Sequence, residues 1–574
     1  MKLRKITTVS AIALAGIISM SSVTGVMMQN NYCYAEETST ENDGGTQLEI
    51  KDVSLQVGAD ETQRNITWYG ESDNPSYVEI VKMPSGWTDE SAFPESDAKK
   101  IRANQYINTE GLYSNKAVMK NLQENTTYLY RVGNSEQWSQ TYTFTTAQLG
   151  EDESFNFLFV GDPQIGASHN TTNDTEGWDT TLTNSIAKFP QTSFILSAGD
   201  QINDKGTSEA EQYEGFFAPD EMQSYALAAN EGNHDSGSEQ YSEHYNIPNV
   251  SNLGNKSSTG QQSGDYYNMY NGVLFIALNS NNRSVSEHRA FIKQALEENS
   301  DATWKIVSFH HSIYSAASHA TDDSILELRS MLPSIFSGLD IDAVLMGHDH
   351  CYTRTYMMDG NDPIIPEGHN VSEGETAASK VTDPEDGQVF YLTANSASGS
   401  KYYSYNNNSL TDFIAVKDQS NRPNITNVEV TENSLTFTTY YTDTEELEEL
   451  DSFTIERTAQ TKDTGTVSNT DNQTSKVTSA SNVKVAKTSI KKIKAKKGKI
   501  TVTAKKVSGN VKYRFAYKKV GTKKWKTVTV SNKKTTIKKL KSGKKYAVKV
   551  RAIKTVKGKT YKSGWSKVKK VKVK

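Results

Sequence analysis

Phe155-Asn156-Phe157-Leu158-Phe159-Val160-Gly161-Asp162-Pro163-Gln164 sets a pattern: an apolar run, a glycine, then a side chain able to hold a metal. The arrangement returns along the chain, once without the glycine. Phe194–Ala198 leads into Gly199-Asp200-Gln201-Ile202-Asn203, and Tyr225–Ala229 into Gly232-Asn233-His234-Asp235. Trp304–Phe309 leads into His310-His311, and Ala343–Met346 into Gly347-His348-Asp349-His350. Short apolar runs bounded by turn residues predict buried strands. Ser286–Glu298 lies between two of them, with Phe291, Ile292, Ala295 and Leu296 on one helical face. Strand alternating with helix predicts an α/β layer fold, in which ligands collect beyond the carboxyl ends of the strands. Unrelated β-turns would account for the glycines. They would not account for Asp, Asp, Asn, His and His-x-His following in that order.

These motifs identify the stretch 153–457 as resembling the calcineurin-like metallophosphoesterases, and within them the purple acid phosphatase branch. The resemblance implies a two-sheet αββα sandwich holding two metal ions. By the same resemblance, Asp162, Asp200 and His350 hold the first metal, and Asp200, Asn233, His310 and His348 hold the second. Imidazole and carboxylate ligands suit Fe, Zn or Mn without choosing among them. The activity implied is hydrolysis of phosphate monoesters by a hydroxide bridging the two metals, acting on a small phosphorylated substrate. His234 and His319 are the candidates for protonating the leaving group, since a pKa near neutrality suits a general acid. His311 is placed beside the substrate or against its neighbours.

Two positions depart from the family pattern. Asn203 stands where the purple branch has the tyrosine that colours its iron, so it becomes a candidate substrate contact. Gln164 stands where the wider superfamily has histidine, and its amide oxygen is a candidate ligand of the first metal. The departures keep two alternatives open: a phosphodiesterase or nucleotide hydrolase of the same fold, and a wall-associated binding protein with a degenerate catalytic domain.

Residues 47–147 read as an all-β module. Val53, Leu55 and Val57 alternate, Ile66 and Trp68 follow, and Tyr128-Leu129-Tyr130-Arg131-Val132 ends in alternating strand. Period-2 patterning between turns predicts a β-sandwich. It is similar to the fibronectin-type domain that precedes the catalytic domain in plant-type purple acid phosphatases.

Net charge hides two poles. The 574 residues hold 63 Lys and Arg against 68 Asp and Glu, a net charge of −5. From Ser481 to Lys574 there are 35 Lys and Arg and no carboxylate, which leaves 28 basic and 68 acidic residues for the rest. The basic stretch is patterned: Val511, Tyr513, Phe515 and Tyr517 alternate, as do Tyr546, Val548 and Val550, and Trp525 and Trp565 add expected core. Leu540 to Ala552 resembles the tyrosine-bearing late strand of fibronectin type III domains. Residues 484–574 therefore read as a second β-sandwich, Lys-coated, and 459–482, rich in Thr, Ser and Asn, as a flexible linker. Such a surface attracts polyanions. Anionic cell-wall polymers are the expected partner, ahead of nucleic acid, for which no reading module is visible.

At the start, Lys2, Arg4 and Lys5 precede the apolar run Ala11–Met20, and Cys33-Tyr34-Ala35 precedes Glu36. This predicts a signal peptide over 1–35, no membrane span, and a secreted protein held at a Gram-positive wall. After cleavage only Cys351 remains, so no intramolecular disulfide forms, and the thiol is expected in the core.

Overall fold

The computed structural model describes residues 49–108, 111–150, 153–255, 264–366, 377–408, 411–458, 485, 487–507, 511–522, 525–556 and 559–574. The expected signal peptide (1–35) and linker (459–482) lie outside the described residues.

Two large sheets pack face to face. In the first, Phe155–Val160, Phe194–Ser197 and Ala226–Ala229 run parallel, and Asn424–Val430 pairs antiparallel beside Phe155–Val160. In the second, Val273–Ala277, Trp304–Ser308, Ala343–Met346 and Gln388–Thr393 run parallel. Their facing sides interdigitate Phe157, Phe194, Phe275, Ile306, Phe390 and Phe437 in one core. The outer faces are covered by helices. Thr171–Lys188 and Glu209–Phe217 bury Trp178, Leu182, Tyr213 and Phe216 against the first sheet. Val285–Glu298 and Asp323–Gly338 bury Phe291, Ile292, Leu328, Leu332 and Phe336 against the second. These strands are buried on both faces, which is why they read as continuous apolar runs rather than alternating ones.

The N-terminal module is joined to this body. Ile50–Val57, Gln63–Gly70, Asn104–Ile107 and Tyr113–Lys120 extend the first large sheet, through the parallel pairing of Gln56 with Leu227. Tyr77–Lys82, Lys99–Arg102, Thr126–Gly133 and Tyr142–Thr146 form the facing four-stranded sheet. Alternation suggests a solvated polar face for the first strand, but Ser54 and Gln56 are buried. That face grips the segment after the Asn233 loop. Gln56 Nε2 and Thr67 Oγ1 both donate to the His244 carbonyl at 2.7 Å, Ser114 Oγ to that of Glu243 at 2.7 Å, and Lys116 Nζ to that of Tyr245 at 2.8 Å. His244 itself pairs with Asp52 at 3.0 Å.

The basic region is a further sandwich. Ile490–Lys496, Lys499–Ala504 and Lys534–Ile537 form a three-stranded sheet, and Lys512–Lys519 pairs with Lys526–Val530 and Lys545–Val556 in a five-stranded one. Ile500, Val502, Phe515, Val548 and Val550 make its core. Trp525 and Trp565, expected in that core, lie outside it. They alternate with cations in a stack: Lys518 over Trp525 (5.0 Å), Lys549 between Trp525 (4.8 Å) and Trp565 (4.7 Å), and Arg551 against Trp565 (4.7 Å). Cation–π attraction lets lysine stems cover rings that would otherwise have to be buried. Both β-modules carry a tyrosine corner: the Gln123 N–H donates to Tyr128 OH at 2.8 Å, and Lys541 N–H to Tyr546 OH at 3.0 Å. Among the described residues no helix is long and apolar enough to cross a membrane.

Candidate metal centre

All five motifs occupy turns at the carboxyl ends of their strands, on the two adjoining sheets. The turns are tied together by backbone bonds. Gln164 N–H donates to the Asp200 carbonyl at 2.8 Å, and Gly347 N–H to that of His310 at 3.0 Å. Two glycines are explained by what lies against them. A Cβ on Gly232 would stand 2.0 Å from Asp200 Oδ1, and one on Gly347 would stand 2.5 Å from Asp162 Oδ2. Four non-glycine residues of the site hold left-handed backbone: Gln164 (φ 40°), Asp200 (φ 48°), His348 (φ 73°) and His350 (φ 40°). Each such conformation costs about 1–3 kcal/mol and persists only where its surroundings enforce it.

His310 is the centre. Its Nε2 lies 2.9 Å from Asn233 Oδ1, 3.1 Å from His348 Nδ1 and 3.2 Å from Asp200 Oδ2. Its Nδ1 faces the Ala198 carbonyl at 3.2 Å and Asp162 Oδ1 at 3.4 Å. Asp200, His310 and His348 offer ligand atoms within 4.8 Å of one another. Asp162 accepts the His348 N–H on both oxygens at 2.9 Å. His350 turns Nδ1 to the Lys401 carbonyl at 2.9 Å, which leaves Nε2 for a ligand. The Gln164 amide nitrogen donates to Asn203 Oδ1 at 3.1 Å, while its Oε1 is buried without a partner. An orphaned buried acceptor of this kind costs about 1–3 kcal/mol and fits an oxygen held ready for a cation.

The electrostatics agree. Burial pushes the His310 imidazole down, but Asp200 and Asp162 outweigh it and lift the group to about 9. Burial raises the Asp162 carboxyl, with Asp200 adding to the effect, whereas the His310 charge holds Asp200 below its ordinary range in spite of burial. Two buried carboxylates thus draw a positive charge into the cluster. Burial pushes His348 well down and His350 down to about 3, so both stay neutral imidazoles, the form that ligates metals. The residues present fit a cationic centre.

Three further histidines flank it. The His319 ring lies tilted against that of His348, 4.6 Å away, and its Nδ1 bonds Asp322 Oδ2 at 2.7 Å. Its side chain is 31% exposed, so it faces the opening. His311 packs 4.7 Å from the same ring, with Nδ1 on Ser280 Oγ at 2.8 Å. His234 is half-buried; its backbone N–H donates to Asp200 Oδ1 at 2.8 Å and its Nδ1 meets the Asn203 carbonyl. Asn203 lies at the site with its side-chain oxygen turned to Gln164.

Three other residues of the site were not singled out in the sequence. Asp235, fully buried, accepts the Gly232 N–H at 2.8 Å and the Gln201 N–H at 3.1 Å, locking the two ligand turns together. Asp349 takes the His319 N–H at 2.8 Å and the Ser315 hydroxyl, which fixes the loop bearing His319. Tyr403 sets its ring edge-on to His319 (4.8 Å) and His350 (5.3 Å). Asp235 and Asp349 stand inside the quoted motifs and could have been singled out; Tyr403 lies in a tyrosine-rich loop that gives no signal. Cys351 is buried, its thiol pushed up to about 12 by burial, so it stays protonated and inert.

The turn geometry agrees with the comparisons. Residues 155–352 match the family model of the calcineurin-like phosphoesterases. These residues are a calcineurin-like phosphoesterase domain. Residues 50–146, preceding it, match the N-terminal domain of purple acid phosphatases. Purple acid phosphatase 3 of Arabidopsis thaliana is 32% identical over 97 residues, 17% of this chain and 25% of that protein. Purple acid phosphatase 4 of the same plant is 31% identical over 113 residues, 19% of this chain and 32% of that protein. The chain thus spans about a quarter to a third of the length of these relatives. A purple acid phosphatase from yellow lupin (Lupinus luteus) seeds shares the fold, with a TM-score of 0.55 at 16% identity, over 71% of this chain and 74% of that one.

Proposed function

We propose that this protein is a secreted, metal-dependent phosphoesterase that hydrolyses phosphate monoesters. The reading is carried by the convergence of Asp200 Oδ2, Asn233 Oδ1 and His348 Nδ1 on His310 Nε2, all within 3.2 Å. Asp162, Gln164, Asp200 and His350 would hold one cation, and Asp200, Asn233, His310 and His348 a second. Bound there, a metal pair would supply Lewis acidity, which makes water acidic near neutral pH and offsets charge on phosphoryl oxygens. Among Fe, Zn and Mn, the ligand set leaves the choice open.

The chain's own groups do the rest. Asp322 accepts the His319 Nδ1–H, so when the ring carries a second proton it sits on Nε2, from which a leaving alkoxide would take it. Ser280 holds the His311 ring, and Asp235 holds the turn of Asn233 against that of Asp200. His234, half-buried beside Asp200, is the second candidate acid. The architecture shared with purple acid phosphatases, over residues 50–352, favours monoesters over diesters. The signal-like start supports secretion, and the Lys-coated C-terminal sandwich supports retention on an anionic wall.

The test is hydrolysis of a chromogenic phosphate monoester by the chain from residue 36 after loading with Fe, Zn or Mn, beside Asp200→Ala. Metal-dependent turnover that disappears in the variant supports the reading. Turnover of a bis-ester alone would make the protein a diesterase. A folded protein that turns over neither ester with any of the metals would leave a binding protein.

A further inference from the structure

The outer face of the three-stranded C-terminal sheet is a lattice of lysine and threonine. Lys492, Lys494 and Lys496 are exposed along one strand. The central strand sets Thr503, Thr501 and Lys499 opposite them in register, and Thr503 and Thr501 pair in turn with Lys534 and Thr536. Thr501 and Thr536 join hydroxyls at 3.0 Å. Alternate residues of a strand lie about 6.7 Å apart and strands about 4.8 Å apart. A column of three lysines therefore edges a strip of threonine hydroxyls, with Lys534 on the far strand about 9.6 Å away. No carboxylate occurs between Ser481 and Lys574 to neutralise this face. It also points away from the phosphoesterase domain, because Arg551 and Lys562, on the opposite sheet, pair with Asp386.

We infer that this face binds an extended, flexible polymer of polyol phosphates. The lysine column Lys492, Lys494 and Lys496, with Lys499 and Lys534 across the strip, suits a chain with one negative charge per repeat, and threonine hydroxyls beneath it can donate to phosphate oxygens. The absence of aromatics argues against nucleic acid. Single strands need ring platforms on which bases stack. Here Trp525 and Trp565 belong to the other sheet, each with lysine or arginine over its ring, and Tyr513, Phe515 and Tyr546 are in the core. No described helix of the C-terminal module is available to enter a duplex groove.

The full chain is titrated with fluorescent poly(glycerol phosphate) across a salt series, beside Lys492→Glu/Lys494→Glu/Lys496→Glu. A control of equal charge, Lys506→Glu/Lys544→Glu/Lys567→Glu, alters exposed lysines off this face. The expected result is affinity that falls with salt and drops about tenfold or more in the face variant, but no more than about threefold in the control. Monoester hydrolysis and the far-ultraviolet spectrum of the face variant are compared with the parent, and Lys→Gln at the same three positions repeats the test without charge reversal. Equal losses in both charge variants would overturn the inference, as would single-stranded DNA binding as tightly as the polymer, or no salt-dependent binding by the parent. Binding is read without turnover, so it can fail while the hydrolase reading stands, and the reverse.

Discussion

Asp200 belongs to both candidate ligand sets, and its Oδ1 also accepts the His234 N–H. Replacing it with Asn keeps the shape and removes the charge that both metals would share. We expect bound metal to fall, measured by elemental analysis, and kcat to drop by more than about 10³-fold. His319 makes a different prediction. General acids contribute about 10²–10⁴-fold where the leaving group needs a proton. His319→Asn should therefore slow alkyl phosphate esters far more than p-nitrophenyl phosphate, whose phenolate leaves unaided. Asp322→Asn should give a milder version of the same split. Equal losses on both esters would assign His319 to substrate binding. Gln164 and Asn203 mark where residue types alone were insufficient: the sequence names them as departures, but the hydrogen bond joining them depends on two turns meeting in space.

Five strand-to-turn junctions carry the candidate site, and these were legible because each strand is a short, mainly apolar run that ends at a candidate ligand, four of the five through a glycine. Gly232 shows how tight the junctions are. Gly232→Ala sets a methyl against Asp200 Oδ1. The site should lose metal and activity while circular dichroism and the core persist, since the two sheets pack elsewhere. Less legible was the face of the first N-terminal strands. Ser54, Gln56, Asn65 and Thr67 look like solvent positions, but all four are buried, with Gln56, Asn65 and Thr67 bonded to the chain returning at 244–246. Trp525 and Trp565 misled in the opposite sense, because composition predicts burial but not which cations will cover a ring.

Lys116 makes this contact testable by pH. Burial lowers its ammonium to about 8, with Glu243 opposing, against about 10.4 in an unfolded chain. Below pH 8 both states keep the proton and the folded state bears the whole desolvation cost. Between pH 8 and about 10.4 only the unfolded state keeps it, so stability gains as pH rises. Urea melts should show wild type gaining up to about 3 kcal/mol relative to Lys116→Met over that interval. A pH-independent difference would mean the ammonium is solvated.

Over the whole molecule, one hydrophobic core runs through the N-terminal strands and both large sheets, including Val53, Ile66, Tyr130, Phe157 and Phe390. The C-terminal sandwich has a core of its own and meets the rest at Asp386. Calorimetry of the full chain should show two transitions. The larger should follow added metal and the smaller should not. A chain ending at residue 458 should keep monoester hydrolysis within about twofold, because none of the candidate ligands lies beyond His350. The succession of a β module, an α/β body and further β-rich sheets was readable from patterning. The fusion of the first two domains was not, because it rests on meetings of distant stretches, such as Gln56 with Leu227 and with the His244 carbonyl.

That meeting has a consequence for solubility. Ala226–Ala229 pairs with Phe194–Ser197 on one side, and on the other its backbone is covered by Ile50–Val57. Stripped of residues 49–147, the phosphoesterase domain would present an apolar, uncharged strand with unpaired backbone groups, a template on which further copies could add. The N-terminal module then serves as a stopper against fibre growth, a duty distinct from any part it plays in catalysis.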